Sequence, residues 1–246
     1  MVPEELRVPR KNRFVFATAS FRRLRDPFAV IDEVERRVGL RIDLISGEDE
    51  AELSFRGMLS TLDPCPSCGV MLDMGGGSTE LNFFCRRRSV FAHSCPFGAL
   101  SLKRSFDIGR SLDEERHALL RGYISSQLPK AASEFSGCAR TAVLVGGTAK
   151  AYLRLAQALG SVPKDATCFR REEFAAFGRI LRSPDDEQWA LFKGLCPDRY
   201  ELMASGGAAF EAIFDAYGCE KIEICPGGIR EGYLAKICRN GSMRME

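Results

Sequence analysis

The 246-residue sequence predicts an α/β fold, on three observations. Short apolar runs of strand length alternate with amphipathic stretches of helical period. A glycine-rich corner, Gly75-Gly76-Gly77-Ser78, lies between two such strands. A further apolar strand, residues 142–145, runs straight into Gly146-Gly147-Thr148, a turn that opens a helix. With 45% hydrophobic and 28% charged residues, the chain has the composition of a packed protein with a sizeable core.

The elements follow in order. A short strand over residues 15–18 precedes Asp26-Pro27, a helix start with proline in the first turn. Phe28, Val30, Ile31, Val34 and Val38 then share one face, and Gly39 ends the helix. Residues 41–45 alternate as a strand, and Ser46-Gly47 turns into a second helix beginning near Glu48. Its leading acids, Glu48, Asp49 and Glu50, suit the positive end of a helix dipole. After Pro64-Cys65-Pro66 the pattern changes, which places a boundary between a first unit, residues 1–68, and a second, residues 69–246. The second unit opens as a meander: strand 70–73, the tight glycine turn, strand 79–85, a turn at 86–88, and strand 89–94. A Ser111-x-x-Glu114 capping box predicts a helix over 111–128. Beyond the Gly146-Gly147 turn, helices are expected over 149–158, 172–181, 185–194 and 205–217. A strand over 222–225 and Gly227-Gly228 lead to a last helix over 230–238.

Charge and composition exclude several classes. Lys and Arg number 35 against 33 Asp and Glu, a net +2, which argues against a nucleic-acid-binding domain held by bulk charge. Basic residues do cluster at Arg7, Arg10, Lys11, Arg13, Arg22, Arg23 and Arg25, and again at Arg86, Arg87 and Arg88. These clusters read either as solvated surface or as a rim for a polyanion. No apolar run reaches the ~18 residues that cross a bilayer, and the early glutamates exclude a secretory signal. No membrane association is expected. The ten cysteines are irregularly spaced, so reduced thiols of a cytoplasmic protein are expected. Cys65-Pro-Ser-Cys68 lacks the second pair that a structural zinc needs, and two histidines exclude a histidine-rich metal site.

The strongest chemical signal is "LDMGGGSTELNF", residues 72–83. Glycines remove the Cβ atoms that keep a backbone away from a ligand, so successive N–H groups can converge on one anion. Ser78 and Thr79 add hydroxyls. Asp73 offers a hard oxygen suited to Mg²⁺, which takes one or two carboxylates together with phosphate oxygens and water. A hairpin alone needs one or two glycines; three, flanked by Asp73, Ser78, Thr79 and Glu80, point to a phosphate-plus-magnesium cradle. The segment is no Walker loop, because no Gly-Lys-Ser/Thr follows. It is no dinucleotide fingerprint, because a strand follows where that motif has a helix. Gly146 and Gly147 supply a second, weaker signal of the same kind, amides at a helix N-terminus.

"LDMGGGSTEL" resembles the DxGGGSTEL loop of the exopolyphosphatase/guanosine pentaphosphate phosphohydrolase (Ppx/GppA) family. Five further segments match in the same order: "FATASFR" (16–22), "ISGEDEAELSFRG" (45–57), "CPFGALSL" (95–102), "LVGGTAK" (144–150) and "GGIREGYL" (227–234). The resemblance implies the actin-like ATPase fold (ribonuclease H-like; sugar kinase, Hsp70, actin), two α/β domains clasping a phosphate chain and Mg²⁺. By residue match it makes Glu50 the base for an attacking water and Arg22 a phosphate-facing arginine. It also makes Asp73 and Glu80 metal-associated acids, and Gly75 to Ser78 a phosphate loop. The implied substrate is inorganic polyphosphate or guanosine pentaphosphate, and a homodimer is a possible assembly.

The family pattern opens with another phosphate loop, an Asp-x-Gly-Ser-Asn hairpin, which this sequence does not contain. The first domain is therefore expected to be incomplete, residues 1–68 forming a helix-rich remnant with apolar faces uncovered. A hydrolase of phosphoanhydrides is the first functional expectation, its activity weak unless another chain supplies the missing loop. A non-catalytic binder of phosphate chains or nucleotide is the second. A kinase is disfavoured, since no acceptor-binding segment is recognisable and Glu50 suits water activation.

Overall fold

A computed structural model describes residues 8, 9, 12–130, 134, 135 and 140–242; Arg7, Arg10, Lys11 and Cys138 lie outside the described residues. In chain order the elements are β1 (Val15–Ala17), α1 (Ala19–Arg22), α2 (Pro27–Val38), β2 (Ile42–Leu44), α3 (Gly47–Thr61), β3 (Cys68–Met74), β4 (Thr79–Cys85), β5 (Arg88–Cys95), α4 (Ala99–Ser105), α5 (Glu114–Gln127), β6 (Thr141–Val145), α6 (Gly146–Ala158), β7 (Cys168–Arg170), α7 (Arg171–Arg182), α8 (Asp186–Leu195), α9 (Met203–Tyr217), β8 (Lys221–Ile224) and α10 (Ile229–Ser242).

Six strands form one mixed sheet in the order β5-β4-β3-β6-β8-β7, and β1 pairs with β2 in a separate parallel pair. Strands β3, β6 and β8 run parallel, with Asp73 registered against Val145 and Leu144 against Ile224. The carboxyl ends of three neighbouring strands therefore lie at one edge of the sheet. Each is followed by a glycine turn: Gly75–Gly77, Gly146-Gly147 and Gly227-Gly228. Ligands of open α/β sheets bind at that edge.

Alternation along the strands builds two layers. Val70, Leu72, Leu81, Phe83, Ala142 and Leu144 face the larger core, which also takes in Tyr152, Phe174, Phe210 and Phe214 of α6, α7 and α9. Met71, Phe84, Val143 and Val145 face the other way and pack on Phe55 and Met58 of α3. Helix α3 crosses α10 at backbone contact. A Cβ on Gly57 would lie 1.8 Å from the Gly228 carbonyl oxygen, and one on Gly232 would lie 1.8 Å from that of Leu53.

Local chemistry sets most element ends. The Asp26 carboxylate accepts from Ala29 N–H at 3.0 Å and opens α2, which Gly39 closes at φ 67°. Ser46 Oγ accepts from Asp49 N–H at 3.0 Å and opens α3. Several expectations are corrected. The cap of α5 is Asp113, not Ser111: Leu112 is buried and its N–H is bonded to the Arg182 carbonyl, which keeps residues 111–112 out of the helix. The apolar face of α2, by contrast, is left uncovered as expected for residues 1–68: only Ile31 is buried and Phe28 is 67% exposed. Arg86 and Arg87 alone make the turn, at φ 50° and 61°, so Arg88 already belongs to β5. Helix α6 begins at Gly146 itself, and α9 begins at Met203. Helix α4 and strand β7 were not expected at all. Among the described residues no helix is long and apolar enough to cross a membrane.

Candidate active site

The glycine corner is fixed from behind and open in front. Gly75 N–H donates to the Ser78 carbonyl at 3.0 Å, and the first turn of α4 donates back to the corner, Ala99 N–H to Gly75 and Leu100 N–H to Gly76, each at 3.0 Å. Thr79 is buried and donates its hydroxyl to the Phe97 carbonyl at 2.8 Å, so its hydroxyl braces the loop. Thr148 does the same from α6, donating to the Met74 carbonyl at 3.0 Å. Arg23 reaches across from the end of α1 to the carbonyls of Gly77 and Pro96. None of Gly75, Gly76 and Gly77 takes a positive φ. A Cβ would have ordinary room at Gly75 and at Gly76, where the nearest atoms lie at 3.5 and 3.6 Å. Within the protein, neither backbone strain nor crowding calls for glycine at these two positions.

Three acids meet beside the corner. Glu50 sits in the first turn of α3, nearly buried, and Arg22 Nη1 donates to its Oε2 at 2.7 Å and to the Ile45 carbonyl at 2.8 Å. Asp73 is the last residue but one of β3, and Ser54, one helical turn beyond Glu50, donates its hydroxyl to Asp73 Oδ2 at 2.6 Å. Glu80 lies opposite Asp73 in the β3–β4 register and accepts from Ser94 Oγ at 2.9 Å. Burial raises the proton affinity of all three. For Glu50 the Arg22 guanidinium offsets part of the effect and the Asp73 charge adds to it. For Asp73, burial is opposed by the Ser54 hydrogen bond and by the charges of Lys150 and Arg199. Glu80 is pushed up to about 8, by burial first and then by the charges of Glu50 and Asp73.

This is a donor set short of positive charge. Asp73 and Glu80, on neighbouring strands, offer hard oxygens, and Glu80 is driven toward its protonated form. Among the described residues no group of three or more His, Cys, Asp or Glu could by itself hold a metal ion. The two carboxylates suit Mg²⁺, which leaves much of its coordination to water and phosphate.

The Gly146-Gly147 turn borders the same acids. Gly146 has φ 83°, and a Cβ there would fall 2.4 Å from Asp73 Oδ1; at Gly147 one would fall 2.4 Å from the Arg199 guanidinium. Glycine is required at Gly146 by its left-handed backbone and the Asp73 carboxylate, and at Gly147 it lets the Arg199 guanidinium lie against the backbone. Beyond the turn, Lys150, Arg154 and Arg199 line a cavity of about 190 Å³ with Gly147, Cys196 and Asp198. Arg22, Glu50, Asp73, Glu80, Gly75 to Thr79, Gly146 and Gly147 thus belong to one edge of the sheet. Ser54, Lys150, Arg154 and Arg199 were not singled out from the sequence, and Arg23 only as a member of the N-terminal basic cluster. The helical spacing Glu50–Ser54 and Lys150–Arg154 held a signal for three of them; Arg199 comes from a distant segment and held none.

The Ppx/GppA phosphatase family profile matches residues 6–240. Exopolyphosphatase 1 of Mycobacterium leprae is 27% identical over 229 residues, covering 90% of this chain and 66% of that protein. Guanosine-5'-triphosphate,3'-diphosphate pyrophosphatase of Aeromonas hydrophila is 28% identical over 239 residues, covering 95% of this chain and 46% of that protein. The chain therefore spans less than two thirds of these relatives' length. Among solved structures, an exopolyphosphatase from Cytophaga hutchinsonii superposes with a TM-score of 0.81 at 17% identity, covering 92% of this chain and 75% of that one. The Aquifex aeolicus PPX-GPPA enzyme superposes with a TM-score of 0.72 at 21% identity, covering 91% and 74%. These likenesses bear out the α/β fold expected from the sequence and show it to be the fold of those two structures. With the family profile matched over nearly its whole length, the chain belongs to the Ppx/GppA phosphatase family.

Proposed function

We propose that this chain is a magnesium-dependent hydrolase of phosphoanhydrides, releasing terminal phosphate from inorganic polyphosphate or the 5'-phosphate from guanosine pentaphosphate. The observation that carries the reading is the glycine corner. Two of its glycines answer no need of the protein itself, and they border three convergent acids. Backbone left bare at such a corner suits close approach of phosphate oxygens. The names of the relatives, exopolyphosphatase and guanosine-5'-triphosphate,3'-diphosphate pyrophosphatase, support the substrate class.

Each residue has a part. The amides of Gly76, Gly77 and Ser78, with Gly75 N–H spent on the Ser78 carbonyl, and those of Gly146 and Gly147 at the start of α6, hold phosphate oxygens. Asp73 and Glu80 hold Mg²⁺, Ser54 keeping the Asp73 carboxylate oriented. The ion, when bound, neutralises charge on the phosphate oxygens. Glu50, whose charged form Arg22 favours against the pull of burial, takes a proton from the water that attacks the terminal phosphorus. The bridging P–O bond breaks and its electrons leave with the shortened chain. Such a transfer needs positioning and charge stabilisation more than covalent work from the protein. Lys150, Arg154 and Arg199 balance the charge of further phosphates.

Phosphate release from polyphosphate and from guanosine pentaphosphate with Mg²⁺, wild type beside Glu50→Ala, tests the reading. Release by the wild type alone is expected. Release that survives Glu50→Ala removes Glu50 as the base. Binding of both substrates without release from either replaces the hydrolase with a phosphate-binding protein.

A further inference from the structure

The open end of the β3–β4 hairpin, remote from the glycine corner, sets two cysteines face to face. Cys68 and Cys85 are Cα partners in the antiparallel register. The next pair outward, Ser67 and Arg86, is hydrogen bonded, Arg86 N–H donating to the Ser67 carbonyl at 2.5 Å. Antiparallel pairs alternate, so Cys68 and Cys85 occupy a non-hydrogen-bonded pair, the kind that brings Cα atoms within about 4.5 Å and side chains closest. A disulfide spans Cα separations of about 4.4–6.8 Å, a range that takes in the spacing typical of such a pair. Both side chains are half-buried, within reach of a small oxidant.

The sheet also decides between possible partners for Cys68. Cys65, its neighbour in the Cys-x-x-Cys motif, packs with Phe55, Met58, Met71 and Phe84 on the α3 side of the sheet. Cys68 shares the strand parity of Val70 and Leu72, and Cys85 that of Phe83, residues that face the opposite layer. The two cysteines of the motif are divided between the two faces, whereas Cys68 and Cys85 share one.

We propose that Cys68 and Cys85 form a reversible cross-strand disulfide, making this end of the hairpin a thiol–disulfide modification site. One cysteine thiolate attacks a sulfur of a low-molecular-weight disulfide such as oxidised glutathione and expels one thiolate. The other then attacks the protein sulfur of the mixed disulfide and expels the second. Two protons and two electrons leave the cysteine pair, and the small disulfide becomes two thiols. The same exchange run backwards by a small thiol reopens the pair, hence reversibility.

The test equilibrates the full chain with excess oxidised glutathione, blocks remaining thiols with N-ethylmaleimide under denaturing acid conditions, and maps the linked peptides. The expected product joins the Cys68 peptide to the Cys85 peptide, separates with dithiothreitol, and forms equally in Cys65→Ser. A Cys65–Cys68 link in the wild type overturns the proposal. So does maleimide on both Cys68 and Cys85 at a glutathione excess that oxidises the exposed Cys168.

Discussion

Arg22 Nη1 donates to Glu50 Oε2 at 2.7 Å, joining α1 to the first turn of α3 across 28 residues of sequence. The same nitrogen donates to the Ile45 carbonyl, so the cation is anchored to backbone as well as to the acid. Burial and the Asp73 charge raise the proton affinity of Glu50, and Arg22 lowers it. A carboxylate that must accept a proton from water works only when ionised, so the arginine sets the pH at which the base is ready.

Arg22→Ala therefore moves the acid limb of the pH–rate profile to higher pH, so that activity recovers as pH rises. The sign follows from removing the group that favours the charged form of a raised acid. A pH–rate profile of the variant beside the wild type checks it; an unmoved acid limb contradicts the assigned pairing.

Gly76→Ala separates a ligand's need for glycine from the fold's need. The nearest atom to an added Cβ lies at 3.6 Å and the backbone is not left-handed, so thermal stability should stay within about 0.5 kcal/mol of wild type. Phosphate release should fall at least about tenfold, because one poorly placed oxygen contact of 1.4 kcal/mol already amounts to that. Thermal melts and initial rates on the same preparations decide it.

Ser54→Ala leaves Asp73 Oδ2 without its 2.6 Å hydrogen bond. A buried acceptor deprived of its donor costs about 1–3 kcal/mol, which urea denaturation measures. The carboxylate should also lose its fixed orientation, raising the Mg²⁺ concentration for half-maximal activity. A variant with reduced stability and unchanged magnesium dependence would restrict Ser54 to a packing role.

Two buried thiols set an alkaline limit. Cys95 is pushed up to about 12 by burial and by the Glu80 charge, and Cys219 up to about 12 by burial chiefly. Both folded values lie above the ordinary 9.0. Their stabilisation is therefore complete below about pH 9 and is lost as pH rises through 12, by up to ~1.4 kcal/mol per pH unit for each thiol. Urea midpoints between pH 9 and pH 12 should fall more steeply for the wild type than for Cys95→Ala with Cys219→Ala.

Much of this site was legible because its parts are local. Asp73, the glycine corner and Glu80 are consecutive in sequence, and strand–turn–strand periodicity placed them together. Ser46 and Asp26 behaved as caps because a short polar side chain ahead of a helix has free N–H groups to meet. Helix α4 was not legible: it is seven residues long, has Gly98 as its N-cap, and takes its support from the Gly75 and Gly76 carbonyls, with Gly98 N–H donating to Ser101 Oγ at 2.8 Å. Strand β7 has three residues and exists through pairing with β8. The meeting of Lys150 and Arg199 over one cavity is set by how the segment after α8 packs on α6, which no short window of sequence contains.

The most direct measurement follows the oxygen of the attacking water. Polyphosphate hydrolysed with Mg²⁺ in oxygen-18-enriched water should give labelled orthophosphate and an unlabelled remaining chain. Glu50→Gln should slow that release by roughly 10²–10⁴-fold while still binding short polyphosphate. Label in the remaining chain, or wild-type release rates from Glu50→Gln, would contradict water attack on the terminal phosphate by way of Glu50.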